Sequence, residues 1–166
     1  MKEIQLSQGW FCKNKGKYVA LVDDEDFDNL NQWKWCVHKD INNFYAVRTV
    51  RADGKRTTTQ MQWEIMNRKS IDHIDHDGLN NQKSNLRFCT NSENMMNRRK
   101  QKNTLSIYKG VTFHKRNNKW MAQIRINGKI IHLGYFDVET EAAKAYNAKA
   151  IELFLEFANL NIIPNE

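Results

Sequence analysis

The chain has 166 residues, 40% of them hydrophobic, which leaves room for one or two small domains and excludes a disordered tail. No run reaches the roughly 18 apolar residues of a membrane span, and residues 1–6 lack the long apolar segment of a secretion signal. The net charge of +7 and the pI near 9.3 call for a polyanionic partner, either nucleic acid or an acidic membrane surface.

In chain order, residues 1–60 read as a β-rich N-terminal region. Tyr18-Val-Ala-Leu-Val22 is an apolar strand that ends in an acidic turn at 23–28. Phe44-Tyr-Ala-Val-Arg-Thr-Val50 is a second strand. Asp53-Gly54 is a hairpin signal, and 57–61 is the return strand. Phe27, Trp33 and Trp35 are expected in the core. Residues 61–104 are rich in Asn, Asp and His and close on a polar, basic connection at 101–106.

Residues 105–166 have a clearer plan. A strand is expected at 108–114 and a turn at Arg116-Asn-Asn118. The next strand alternates, with Trp120, Ala122, Ile124 and Ile126 on one face and Lys119, Met121, Gln123 and Arg125 on the other. Asn127-Gly128 is a type I′ hairpin signal, and 129–135 returns. Asp137 is then placed to cap a helix running to about Phe157, with Ala143, Tyr146, Ala150, Leu153 and Phe157 at spacings of three or four. This makes three antiparallel strands and a helix, and an α+β class for the whole chain.

Charge is concentrated in one stretch. Between Met95 and Phe136 there is no Asp or Glu, while ten cations fall there: Arg98, Arg99, Lys100, Lys102, Lys109, Lys115, Arg116, Lys119, Arg125 and Lys129. Strand and turn signals interrupt the stretch, so it is no amphipathic membrane helix, and nucleic acid is the expected partner. Cys12, Cys36 and Cys89 are odd in number and widely spaced, giving neither a disulfide framework nor a C-x-x-C zinc site; reduced thiols are expected.

Chemistry is densest at Ile71-Asp-His-Ile-Asp-His-Asp-Gly78, followed by Asn80, Asn81, Asn85, Asn91, Asn94 and Asn97. Phosphodiester hydrolysis needs a base for water and a cation that polarises the phosphate. An Asp and an Asn carbonyl suit a hard cation such as Mg²⁺. Adjacent Asp72 and His73 serve one site only if a bulge or turn aims both inward. By residue type alone, such a loop is more often a turn than an active site.

The spacing says more. Asp72-His73, Gly78-Leu-Asn-Asn81, Ser84-Asn-Leu-Arg87, Cys89-Thr90, Glu93-Asn94 and Asn97 resemble the HNH endonucleases found as homing and phage enzymes. The resemblance implies a ββα-metal unit within 61–104 and a Mg²⁺ cofactor, or another divalent ion such as Mn²⁺. It implies His73 as general base, Asp72 and Asn94 as metal ligands, and Asn85, Asn81 and Arg87 as supports of the loop. Asn85 is expected to tie the loop to the helix, and His76 to be a turn residue. Ala20-Leu-Val-Asp-Asp-Glu-Asp-Phe27, Trp35 and Phe44-Tyr-Ala-Val47 resemble the β-rich region that precedes this motif. Met61-Gln62-Trp63 departs from the family, which usually has Met-His-Arg there.

Tyr108-Lys-Gly-Val111, Lys119-Trp120, Ala122-Gln-Ile-Arg125, Leu133-Gly134, Phe136, Glu141-Ala-Ala143, Ala145-Tyr-Asn147 and Ala158-Asn-Leu-Asn161 resemble the AP2 DNA-binding fold. That fold lays its exposed sheet face in the major groove. The implied DNA contacts are Gln123 and Arg125 on bases, Lys109, Lys115, Lys119 and Lys129 on phosphates, and His132 on the neighbouring strand. Leu155 stands where relatives often have Gly.

Together these readings imply a metal-dependent endonuclease of double-stranded DNA, homing type. A monomer that spans no membrane is expected, in the cytoplasm of a bacterial or phage-infected cell. The alternative is a non-catalytic DNA-binding protein with a decayed HNH unit, marked by Gln62 and Trp63. A third reading, an RNA-binding module, lacks an aromatic triplet on the binding face.

Overall fold

The computed structural model describes residues 1–8, 18–40, 43–52, 54–100 and 104–164. The chain divides into two compact units, Met1–Cys89 and Thr90–Glu166. The sequence reading puts its joints after residues 60 and 104; the compact units divide along the chain between Cys89 and Thr90.

The first unit begins with β1 (Lys2–Gln5) and β2 (Ser7–Gln8), followed by β3 (Val19–Val22) and helix α1 (Asp24–Asn31). Next come β4 (Cys36–Lys39), β5 (Phe44–Ala52) and β6 (Lys55–Gln60), short helix α2 (Met61–Ile65), and the pair β7 (Ile71–His73) and β8 (Leu86–Phe88). β1 pairs antiparallel with β3, and a four-stranded sheet runs β2-β4-β5-β6. The core between them holds Ile4, Leu6, Ala20, Val22, Leu30, Trp35, Val37, Ala46 and Met61.

Residues 24–28 are helical rather than a turn, with Asp23 in extended conformation as the N-cap. Asp24, Glu25 and Asp26 fill the first turn of α1, where carboxylates are favoured by the helix dipole. Leu30 is buried, and Phe27, three residues earlier, packs partly against the same core. The tryptophans also separate. Trp35 is 1% exposed, with its indole N–H donating to the Leu30 carbonyl at 2.9 Å. Trp33 is 45% exposed and lies under the Arg48 guanidinium, 4.3 Å from the ring centre. A flanking cation and solvent suit an indole as well as a core does. The hairpin signal at Asp53 lies outside the described residues, although Ala52 and Lys55 are paired across it. Neither Cys36 nor Cys89 is in a disulfide, and Cys12 lies outside the described residues.

The second unit starts with α3 (Asn91–Asn97), then β9 (Val111–His114), β10 (Lys119–Ile126), β11 (Lys129–Phe136) and α4 (Glu139–Phe154). The sheet order is β11-β10-β9, all antiparallel. Asn127 and Gly128 have φ of 49° and 76°, the positive pair a type I′ turn requires. The expected alternation holds: Ala122 and Ile124 are buried against α4, and Trp120 and Ile126 pack beside them. Ala142, Ala143 and Ala150 are wholly buried, so the helix backbone approaches the sheet closely. Gly110, at φ 75°, leaves no room for a Cβ beside the Tyr146 ring.

Two helix-end expectations change. Val138, not Asp137, is the N-cap of α4; the Asp137 carboxylate instead pairs with Lys119 at 3.2 Å. The helix stops at Phe154 because Leu155 adopts φ 48°, ψ −124°, and a 3-10 turn follows through Phe157. Among the described residues no helix is long and apolar enough to cross a membrane.

Candidate active site

β7 pairs with β8 as Ile71↔Phe88, Asp72↔Arg87 and His73↔Leu86 without a bulge, so the pairing itself does not aim Asp72 and His73 to one side; the strand ends at His73, where the turn at 74–75 begins. Because Asp72 and Arg87 are directly opposed, their side chains meet. Arg87 donates from Nε at 3.0 Å and from Nη2 at 2.8 Å to Asp72 Oδ2. Both side chains are largely buried, so the carboxylate is fixed by charge as well as by packing.

His73 ends the strand and takes different partners. Its Nε2 lies 3.3 Å from Asn81 Oδ1. Asn81 is 0% exposed and donates from Nδ2 to the Leu79 carbonyl at 3.2 Å. That bond turns Oδ1 toward the imidazole, so Nε2 carries the hydrogen and Nδ1 the lone pair. The Tyr45 ring sits 5.9 Å from the imidazole. Burial pushes the His73 pKa below its ordinary value, against the opposing pull of the Asn81 bond and of Asp75, Asp72 and Asp77. The ring is therefore neutral at pH 7 and able to accept a proton.

The loop between β7 and β8 is built around Asn85 and Asp75. Asn85 accepts from the Asp75 N–H at 3.0 Å and donates to Asp75 Oδ1 at 2.9 Å and to the Asn80 carbonyl at 2.8 Å. These bonds close the loop on itself, where the sequence reading had Asn85 reach the helix. Asp75 also accepts from the Asp77 N–H at 2.8 Å and from Asn80 Nδ2 at 2.8 Å. Burial raises its pKa, but the bonds from Asp77, Asn80 and Asn85 outweigh that and hold it below the usual carboxylate value. His76, at φ 64°, is a turn residue, as expected. β3 anchors the loop's far end: Leu21 N donates to the Leu79 carbonyl at 2.9 Å and Asn81 N to the Leu21 carbonyl at 2.8 Å.

Asn43 and Tyr45 are site residues that the sequence reading missed. Asn43 donates to the His76 carbonyl at 3.0 Å and accepts from the Gly78 N–H at 3.2 Å. Gly78 is needed for this approach, since a Cβ there would strike the Phe44 carbonyl oxygen and lie 2.6 Å from the Tyr45 ring. These contacts span more than thirty residues and leave no local signal. Asp75 did leave one: an Asp two residues before an N–H it caps is an Asx turn. By register, Thr49, Arg51, Arg56 and Thr58 share the sheet face of Tyr45, and all four are exposed.

Asn94 lies exposed on α3, in the second unit. Among the described residues no group of three or more His, Cys, Asp and Glu side chains forms a metal cage. Taken singly, the Asp72 carboxylate and the Asn94 amide oxygen are each donors that suit a hard cation which keeps most of its waters. Gln62 is 2% exposed and donates to Gln60; its Oε1 is buried without a hydrogen-bond partner. Trp63 lies under Lys69, 5.6 Å from the ring centre.

In the second unit, Arg125, Lys115, Lys129 and His132 are exposed and Gln123 is half-buried. Gln123 faces His132 across the sheet and Arg125 faces Ile130, just past a register shift between Ala122 and Gln123. Lys119 reaches the same side but is paired with Asp137. Lys109 differs from expectation: its ammonium donates to the Met96 carbonyl at 2.6 Å, and burial lowers its pKa to about 8.

Comparison with known proteins agrees with both halves. Residues 64–96 match the family model described as HNH endonuclease, and residues 106–154 match the AP2 domain. An uncharacterized HNH endonuclease of Acanthamoeba polyphaga mimivirus is 43% identical over 152 residues, 91% of this chain and 78% of the relative. AP2-like ethylene-responsive transcription factors are similar over the C-terminal part alone. One from Oryza sativa subsp. japonica is 42% identical over 62 residues, 36% of this chain and 9% of its own length. One from Arabidopsis thaliana is 44% identical over 62 residues, 36% of this chain and 10% of its own length. No solved structure matches.

Proposed function

The chain belongs to the HNH endonuclease family and carries an AP2 domain, and from that premise we propose that it is a metal-dependent, homing-type endonuclease acting on double-stranded DNA. The observation that carries this reading is the neutral His73, held by Asn81 beside the Asp72–Arg87 pair. His73 Nδ1 takes a proton from water. The hydroxide attacks phosphorus, the bond to the leaving sugar oxygen breaks, and solvent returns a proton to that alkoxide.

Asp72 and Asn94 are the ligands of the divalent ion, Mg²⁺ or Mn²⁺; when bound, the ion polarises the phosphate and offsets developing charge. Arg87 holds the Asp72 carboxylate in place. Asn85 and Asp75 stiffen the loop, so His73 is aimed before DNA arrives.

The sheet of the second unit supplies register. Arg125 and Gln123 face bases in the major groove, Lys115, Lys119 and Lys129 face phosphates, and His132 flanks Gln123. Thr49, Arg51, Arg56 and Thr58 offer the nuclease unit its own surface for a sugar–phosphate backbone. The departure at Gln62 and Trp63 lies on α2, and His73, Asn81, Asp75 and Asn85 are hydrogen-bonded within their own loop, which supports an active enzyme over a decayed one.

The test is nicking of supercoiled plasmid with and without Mg²⁺. Wild type nicks only with the ion, and His73→Ala loses about 10²–10⁴-fold in rate while retaining DNA affinity. Equal nicking by both proteins would refute the assignment, and so would a dead His76→Ala variant.

A further inference from the structure

The HNH and AP2 matches end and begin at residues 96 and 106, yet the second compact unit begins at Thr90. Helix α3, the last element of the nuclease motif, is therefore packed with the DNA-binding sheet. We infer that the AP2 unit is a working part of the nuclease, in which Lys109 and Asn159 are positioning residues that hold the helix carrying Asn94. The inference rests on the reading of Asn94 as a metal ligand.

A seven-residue helix does not persist in water by itself. The N-terminus of α3 is closed locally by a capping box: Glu93 N–H donates to Thr90 Oγ1 at 3.2 Å, and Thr90 N–H to Glu93 Oε2 at 2.6 Å. The C-terminal carbonyls have no partner within the helix, and distant residues take them. Lys109 Nζ donates to the Met96 carbonyl at 2.6 Å. Asn159 Nδ2 donates to the carbonyls of Asn97 at 3.1 Å and Arg98 at 3.0 Å. Met96 packs against the cluster of Ile124, Tyr146, Ala150 and Phe154.

The holding residues are themselves pinned. The Lys109 backbone N–H and C=O are both bonded by the Asn161 side chain, at 2.6 and 3.0 Å. A half-buried ammonium aimed at a helix C-terminus is favourable there, and its cost is offset only while α3 stays in place. Asn94 lies on the helix whose end these bonds fix, so the DNA-bound sheet and the amide oxygen move as one body.

The experiment uses the full chain and the variants Asn159→Ala, Lys109→Met, Asn94→Ala and Asn94→Ala/Asn159→Ala. It measures plasmid nicking across a Mg²⁺ titration, DNA binding in EDTA, and amide hydrogen exchange of α3 without metal. Asn159→Ala and Lys109→Met should each raise the Mg²⁺ concentration for half-maximal nicking about tenfold. Their DNA affinity should stay within about twofold, and α3 should exchange faster while α4 does not. In the Asn94→Ala background, Asn159→Ala should add nothing to the Mg²⁺ requirement.

Asn159→Gln and Lys109→Arg, which keep a donor, should recover part of the requirement. An unchanged Mg²⁺ requirement and unchanged α3 exchange in both single variants overturn the inference. If α4 exchanges as fast as α3, the residues are merely structural and the inference is again overturned. If Asn94→Ala leaves the Mg²⁺ requirement alone, the ligand reading of Asn94 fails, and the holding of α3 is then decided by the exchange data.

Discussion

His73 places its Nε2 3.3 Å from Asn81 Oδ1, and Asn81 is fixed in turn by donating Nδ2 to the Leu79 carbonyl. The chain Leu79–Asn81–His73 sets the tautomer of the imidazole without placing a charge beside it. A carboxylate in the position of Asn81 would hold the ring protonated, and a protonated ring accepts nothing. Burial keeps His73 neutral against the smaller upward pull of the Asn81 bond and of the neighbouring carboxylates, leaving a base that is ready at neutral pH.

The first prediction follows from that direction. The folded pKa of His73 lies below the ordinary 6.5, so nicking at saturating Mg²⁺ should hold from pH 8 down through 6.5 and fall only beneath it. Asn81→Asp should move that acid limb up by at least about one pH unit. The same sign governs stability. Below pH 6.5 the unfolded chain binds a proton that the folded His73 resists, so this contribution is present above 6.5 and is lost as pH falls. Superimposable pH–rate profiles for wild type and Asn81→Asp would reject the arrangement.

The second prediction concerns the Asp72–Arg87 pair, whose side chains are 8% and 13% exposed. Removing one partner of a buried pair strands the other charge. Arg87→Ala should cost about 3–5 kcal/mol in urea unfolding of the first unit. Adding Asp72→Asn to Arg87→Ala should recover part of that loss, because the stranded charge goes with it. A loss under about 1 kcal/mol would mean the pair is solvated.

Much of this was legible in the sequence, and what was not has physical causes. The alternation of β10 and the Asn127-Gly128 turn are local patterns with one reading each, while the His73 loop is told from a plain turn only by its spacing. The acidic run at 23–28 is ambiguous, since carboxylates suit both a turn and the first turn of a helix; burial of Leu30 decided for the helix. Asp137 had a possible cap below it and Lys119 eighteen residues before it, and the ion pair won. Lys109 sits in a basic stretch and was read as a phosphate contact, but three dimensions put the Met96 carbonyl within its reach. Asn43 and Tyr45 come to the loop only through the sheet.

The third prediction tests the DNA face. Arg125 is exposed opposite Ile130, with Gln123 opposite His132 on the same side. Arg125→Ala should weaken binding to the preferred site by about 1–3 kcal/mol and relax selection at one base pair. Lys129→Ala should instead weaken all sequences alike and reduce the salt slope by about one. Selection from a random library and salt titrations measure both. Unchanged selectivity in Arg125→Ala would place base reading elsewhere on the sheet.

The last prediction concerns Leu155, which ends α4 at φ 48°, ψ −124°. This region is hostile to any residue with a Cβ and open to glycine. The side chain is 75% exposed, so little packing is lost with it. Relief of backbone strain is worth about 1–3 kcal/mol, while the added freedom of glycine in the unfolded chain costs about 0.4–1 kcal/mol. Relief wins, and Leu155→Gly should stabilise the second unit by about 1 kcal/mol. Leu155→Ala keeps the Cβ and the strain, so it should give no gain. Thermal melts of wild type and both variants decide the matter, with DNA affinity as the control for an unchanged sheet. If glycine and alanine melt together, the strain at Leu155 is absent, and the early end of α4 must come from the 3-10 turn that follows.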